Sequence, residues 1–159
     1  MQQQTFTDVE YFNRKQKSRR ETFLDTMEQL VPWSDLIELI RPHYPTGRRG
    51  RRPRGIETML RMYLLQEWFG MSAAGMEDII NDSYAMRSFM HVDFLTEQVP
   101  DSNTLLRFRK LLEDNGLDQA INDTIEERLH LAGLALHRGN ISDATLAGTT
   151  RKRKSRAKA

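Results

Sequence analysis

The stretch IETMLRMYLLQEWF, residues 56–69, carries the strongest structural signal in the chain. Its apolar side chains recur every three or four residues, in one stripe of Ile56, Met59, Leu60, Tyr63, Leu64 and Trp68 and a second of Met62, Leu65 and Phe69. A helix that is apolar on nearly every side is buried. Gly70 follows, in the position where a left-handed residue ends many helices. The sequence therefore predicts a central core helix.

Further helices are predicted on both sides of this one. Upstream, Ser18 and Glu21 form a capping box before a first helix, and a second helix starts at Pro32 and ends at Pro42. Downstream, helices follow the caps at Ser72, Asp82 or Ser83, and Asp101-Ser102, and a last one follows Asn115-Gly116. The predicted fold is therefore all-α: a compact bundle of about six helices over residues 18–138, preceded by a flexible arm, residues 1–17.

The pattern changes near the C-terminus. Ile141, Asp143 and Thr145 alternate with smaller residues, which predicts one strand over residues 139–146. A single strand has no partner in this reading and would lie alone. Residues 147–159 are basic and poor in apolar side chains, so we expect a disordered tail.

Composition excludes several classes of protein. The 159 residues include no cysteine, so disulfides and thiolate zinc sites are impossible. The four histidines lack the spacing of metal ligands. No apolar run approaches the roughly 18 residues of a membrane span, and the N-terminus does not resemble a signal peptide. We expect a soluble, cytoplasmic protein without a membrane partner.

Charge is sharply segregated along the chain. Residues 14–20, 41–54 and 151–158 hold 17 of the 24 Lys and Arg residues and no acid. Residues 55–146 hold 7 basic and 15 acidic residues, a net charge of −8. Unopposed basic clusters outside an acidic body favour a polyanionic partner, above all nucleic acid. The alternative is a set of solvated segments that keep the protein soluble.

Two cationic segments are candidate DNA contacts. The first is the Gly- and Pro-rich loop before the core helix, with Arg48, Arg49, Arg51, Arg52 and Arg54. An extended, arginine-rich backbone suits phosphate binding or a minor groove, although the same loop would also serve as an exposed linker.

The second candidate is the helix predicted over residues 102–114, which carries Arg107, Arg109 and Lys110. Arg107 and Lys110 are three residues apart and share a face. Together with the helix over residues 72–81, this helix would form a helix-turn-helix-like reader of a major groove. The alternative is ordinary exposed charge on a packed helix.

Several motifs in this order resemble one family. They are residues 50–53 leading into 57–70, residues 82–89, residues 99–105 followed by Phe108-Arg109, residues 115–117, and residues 141–145. The chain resembles the N-terminal part of bacterial insertion-sequence transposases of the Asp-Asp-Glu type, the IS-five group. The resemblance is collinear over more than a hundred residues.

The resemblance implies a function for each part of the chain. The helical domain, residues 18–138, would bind double-stranded DNA at the transposon's terminal inverted repeats. Residues 139–146 would be the first strand of a ribonuclease-H-like domain. Asp143 would be the first catalytic, metal-binding acid of a site that holds Mg²⁺ in a complete family member.

The chain departs from the family after Leu146, where a second Asp and a Glu would follow in a longer sequence. We therefore expect a truncated transposase that binds no cofactor alone and does not catalyse unaided. An alternative function is inhibition of transposition, by occupying ends or by forming mixed oligomers with a full-length transposase. Besides double-stranded DNA, the expected partners are a second copy of the chain or a full-length transposase. A regulator or RNA-binding protein unrelated to mobile elements is a third possibility.

Overall fold

The computed structural model describes residues 17–47, 50, 52–93, 95–137 and 140–143. Its helices are α1 Arg19–Leu30, α2 Trp33–Ile40, α3 Ile56–Phe69, α4 Ala73–Asp82, α5 Tyr84–Phe89, α6 Ser102–Asp114 and α7 Leu117–Leu131, with a 3-10 turn at Arg41–His43. Its strands are β1 Leu134–His137 and β2 Asn140–Asp143. The predicted all-α class is confirmed. Within this part of the chain, no helix combines the length and apolar character that crossing a bilayer requires.

Helix α3 is the centre of the core, as its sequence predicts. Every residue from Met59 to Gln66 is buried, and so is Trp68. The helix ends where Gly70 adopts a left-handed conformation with φ of 62°, which a residue without a Cβ adopts at little cost. The other helices pack around this buried rod.

Helix α1 packs against α3, with Phe23 at the C-terminal end of α3 and Glu28 at Arg61. Ser18 caps the helix as predicted: the Glu21 amide donates to the Ser18 hydroxyl at 3.2 Å, and that hydroxyl donates to the Glu21 carboxylate at 3.3 Å. The Phe23 ring packs edge-on against Trp68 and Phe69, with 5.5 Å between ring centroids in each pair.

Helices α4 and α6 contact each other and both contact α3. They are not consecutive, since α5 and residues 90–101 lie between them in sequence. The amide of Ser102 donates to the Glu77 carboxylate at 2.8 Å, so α4 caps the first turn of α6. This contact holds the N-terminal end of α6 against α4.

The C-terminal strand has a partner, which corrects the expectation that it lies alone. β1 and β2 pair antiparallel, with Leu134 opposite Asp143 and His137 opposite Asn140. Gly133, at φ of 71°, ends α7, and Leu134 and Leu136 pack against the core, so residues 134–137 extend as a strand. Residues 134–137 therefore form a strand within the range 18–138 that the sequence predicts to be helical. Residues 1–16 and 144–159, with most of the predicted arm and all of the predicted tail, lie outside the described residues.

Candidate functional site

Helix α6 is fixed at its first turn by two carboxylates. Asp101 is the N-cap and accepts from the Thr104 amide at 2.7 Å, while Glu77 takes the Ser102 amide. Leu105, Phe108 and Leu112 are buried against the core. Because two amides of the first turn already have carboxylate partners, this helix end does not attract a phosphate.

The opposite face of α6 is open to solvent. Asn103, Leu106, Arg107 and Lys110 follow one another at spacings of three, one and three residues, and all four are exposed on one side of the helix. Leu106 is 53% exposed, although its neighbour Leu105 is fully buried. Within the described residues, neither Arg107 nor Lys110 has an ion-pair partner. We call these four residues the α6 face.

Arg109 lies on another side of the same helix. Its guanidinium donates to the Glu67 carboxylate at 2.6 Å and to the Gln66 side-chain oxygen at 3.1 Å. It also lies 5.4 Å from the centre of the Tyr63 ring. The structure therefore brings Arg107 and Lys110 together and directs Arg109 to α3. A direct role for Arg109 in DNA binding stays a prediction.

The arginine-rich loop is closed at its base. The Tyr44 hydroxyl donates to the Arg54 carbonyl, and burial raises the pKa of Tyr44 above its ordinary value. Gly47, at φ of 71°, lies so close to Pro53 that a Cβ atom there would be 2.9 Å from the Pro53 ring. Position 47 therefore requires glycine both for its backbone and for this contact.

The same closure attaches the loop to α6. The Tyr44 ring packs edge-on against Phe108, with 6.2 Å between centroids, and Phe108 is the residue after Arg107. Arg52 is exposed and Arg54 half-buried, and neither has an ion pair within the described residues. Arg48, Arg49 and Arg51 lie outside those residues. The base of the loop therefore packs against the same helix, α6, that carries the α6 face.

Asp143 is the last residue of β2, where it pairs with Leu134 of β1. In the described ranges, no group of three or more His, Asp or Glu side chains is arranged to hold a metal ion. Mg²⁺ takes six oxygen ligands, of which a protein usually supplies one or two carboxylates, and Asp143 is the single acid within β2. The catalytic and metal-binding roles of Asp143 stay predictions.

A buried arginine in α3 was missed by the sequence analysis. Arg61 is 1% exposed, and all five of its N–H groups are used. They donate to both carboxylate oxygens of Glu28 at 2.6 and 3.0 Å, to Glu57 at 3.1 and 3.0 Å, and to the Phe89 carbonyl at 2.9 Å. The guanidinium also lies 3.9 Å from the centre of the Trp33 ring. Arg61 therefore joins α1, α2, α3 and α5.

A signal for this cluster exists in the sequence. Position 61 falls within a helix that is apolar on nearly every side, so its charge has no face on which to reach water. Glu57 lies one turn earlier, where an ion pair along the helix is favourable. The distant partners Glu28 and Phe89 have no such local signal.

The helical part of the chain matches a known protein family. Residues 12–111 match the model of the family described as a transposase domain (DUF772), a match that begins before α1 and ends within α6. It covers more than half of the chain, and the chain belongs to this family. The protein is therefore transposase-related. No solved structure matches the chain.

Proposed function

We propose that this helical domain binds duplex DNA at the terminal inverted repeats of an insertion sequence of the IS-five group, as a step in DNA transposition. The observation that carries the proposal is the pair of unpaired cations, Arg107 and Lys110, on the solvent face of α6. The base of the arginine-rich loop is attached to the same helix through Tyr44 and Phe108.

The charge distribution supports a localised DNA contact. Residues 55–146 carry a net charge of −8, so most of the domain repels phosphates. A duplex can approach only where cations are free of internal carboxylate partners. The α6 face and the loop cations Arg52 and Arg54 meet that condition, and binding there releases counterions from the DNA. No step of this proposal passes through a metal ion or requires Asp143.

The test is a salt titration of the full chain on two duplexes. One carries the inverted repeat that flanks the coding sequence, and the other has the same composition in scrambled order. Each phosphate contact contributes a slope of about −0.9 to a plot of log affinity against log salt. We expect Arg107→Gln/Lys110→Gln to weaken binding and to flatten the slope by about 1 for each of the two cations that contacts a phosphate. Arg52→Gln/Arg54→Gln should act in the same direction.

The matched control is Arg128→Gln, which removes an exposed cation from the last turn of α7 and should leave the slope unchanged. The proposal is wrong if the α6 double variant keeps the wild-type slope. It is also wrong if the chain binds no duplex at low ionic strength. Equal affinity for the two duplexes would refute recognition of the terminal repeats.

A further inference from the structure

Leu106 is a large apolar side chain in a place where packing does not require one. It is 53% exposed in the middle of the α6 face, with Asn103 three residues before it and Arg107 and Lys110 beyond. Leu105 and Leu112 on the same helix are fully buried, so α6 packs against the core without a contribution from Leu106. A surface that only neutralises phosphates gains nothing from Leu106.

The four side chains match the chemistry of base edges in a major groove. Asparagine can bind N6 and N7 of adenine together, arginine can bind O6 and N7 of guanine, and an apolar side chain can contact the thymine methyl group. The stripe from Asn103 to Lys110 rises about 10 Å along the helix, which corresponds to about three base-pair steps. A groove about 12 Å wide admits a helix.

Helix α6 is also held rigidly enough for readout. Glu77 and Asp101 fix its first turn, and Arg109 ties its middle to Glu67. The carboxylates at the first turn oppose docking of the helix end onto phosphates, so the exposed side of the helix from Asn103 to Lys110 makes the approach. A helix that is preorganised in this way loses little conformational freedom when it binds.

We propose that α6 reads base sequence in a major groove, an inference that rests on the proposed DNA-binding function. Leu106 contacts a thymine methyl group, Asn103 binds an adenine and Arg107 binds a guanine. Lys110 contacts the phosphate backbone beside them. Asn103 and Leu106 therefore determine specificity, while the arginine-rich loop contributes affinity without sequence preference.

The experiment starts with the full chain and a library of random duplexes, from which the preferred site is enriched. Each thymine in that site is then replaced by deoxyuracil, which removes one methyl group and nothing else. At one position we expect wild-type affinity to fall about fourfold, the value of one buried methyl group. Leu106→Ala should bind the thymine and uracil sites equally. Leu131→Ala, which truncates a 75% exposed leucine on α7, should keep the wild-type response.

Asn103→Ala provides an independent measurement. It should reduce the preference for one adenine by roughly tenfold or more while leaving the salt slope unchanged. Both variants replace exposed helical residues with alanine, the residue most favourable to helices, so folding is retained.

The outcomes separate this inference from the function on which it rests. Full sensitivity to deoxyuracil in Leu106→Ala, or no sequence enriched by the wild-type chain, overturns base reading by α6. A flattened salt slope in Arg107→Gln/Lys110→Gln would still uphold DNA binding in that case. Absence of any duplex binding overturns both.

Discussion

Replacement of Arg61 by methionine is the sharpest test of what holds the domain together. Methionine keeps a long, flexible apolar stem in the core but removes all five N–H donors. The side chain is almost wholly enclosed, so water cannot replace the lost donors at its centre. One substitution therefore removes the partner shared by α1, α3 and α5, and it also removes the guanidinium that packs on the Trp33 ring at the start of α2.

The magnitude follows from the groups that Arg61 leaves behind. Removal of one member of a buried ion pair costs about 3–5 kcal/mol, because the other charge remains unpaired. Here the Glu28 and Glu57 side chains are 29% and 48% exposed, so water relieves part of that penalty. The Phe89 carbonyl also loses its donor, at a cost of about 1–3 kcal/mol if no water reaches it. We expect a loss of about 3 kcal/mol in the free energy of unfolding, near the lower limit for the pair.

Urea unfolding measures this loss with two probes. Helical circular dichroism follows the whole domain, and tryptophan fluorescence follows Trp33 and Trp68, of which Trp33 lies under the guanidinium. With an m-value of about 1.5–3 kcal/mol per molar, the midpoint should fall by about 1–2 M urea. Arg61→Lys should fall in between, since an ammonium keeps the charge without the bidentate geometry.

A second variant separates the ion pair from a simple packing defect. Glu28→Gln in the Arg61→Met background removes the stranded carboxylate and should recover part of the lost stability. If Arg61→Met unfolds within about 0.5 kcal/mol of wild type, the cluster does not hold the helices together. If the stability loss of the double variant equals the sum of the losses of Arg61→Met and Glu28→Gln measured singly, the two side chains are not coupled.

Three further predictions concern groups around α3 and α6. Burial raises the pKa of Tyr63 to about 12, so the unfolded chain loses its phenol proton first and the free energy of unfolding falls between pH 10 and 12. In urea titrations over this pH range, Tyr63→Phe should show a shallower fall than the wild-type chain, and an equal fall would contradict the prediction. Tyr44→Phe removes the bond to the Arg54 carbonyl, at a cost of about 1 kcal/mol, and should speed amide exchange across residues 44–55; wild-type exchange rates would mean that the bond does not close the loop. Arg109→Gln should lower stability by about 1–2 kcal/mol in urea through its lost bond to Glu67 and keep the wild-type salt slope on DNA, whereas a flattened slope would place Arg109 in the interface.

Local signals in the sequence were sufficient for most helix boundaries. The bounds of α3 and α6 agree with their predictions, because Gly70 and Asp101 act within a single turn of their helices. The capping box at Ser18 likewise depends only on Glu21, three residues away. Such ends require no knowledge of the rest of the fold.

Contacts between residues far apart in sequence could not be predicted from local patterns. Helical periodicity places Arg107 and Lys110 on one face and Arg109 about 200° from Arg107. It does not predict that Arg109 forms an ion pair with Glu67 of α3. Arg61 pairs with Glu28, 33 residues away, and β1 forms because β2 pairs with it. These contacts depend on how helices pack, which single-sequence patterns do not encode.

The capping of α6 by Glu77 has a consequence for the segment that precedes the helix. Side chains of α3 and α4 hold α6 in position, while residues 95–98 are exposed to solvent. The entropy cost of a longer connection grows only slowly with its length. A reporter peptide or extra residues grafted at this bend would therefore leave the orientation of α6 intact, and natural relatives are free to differ in length there.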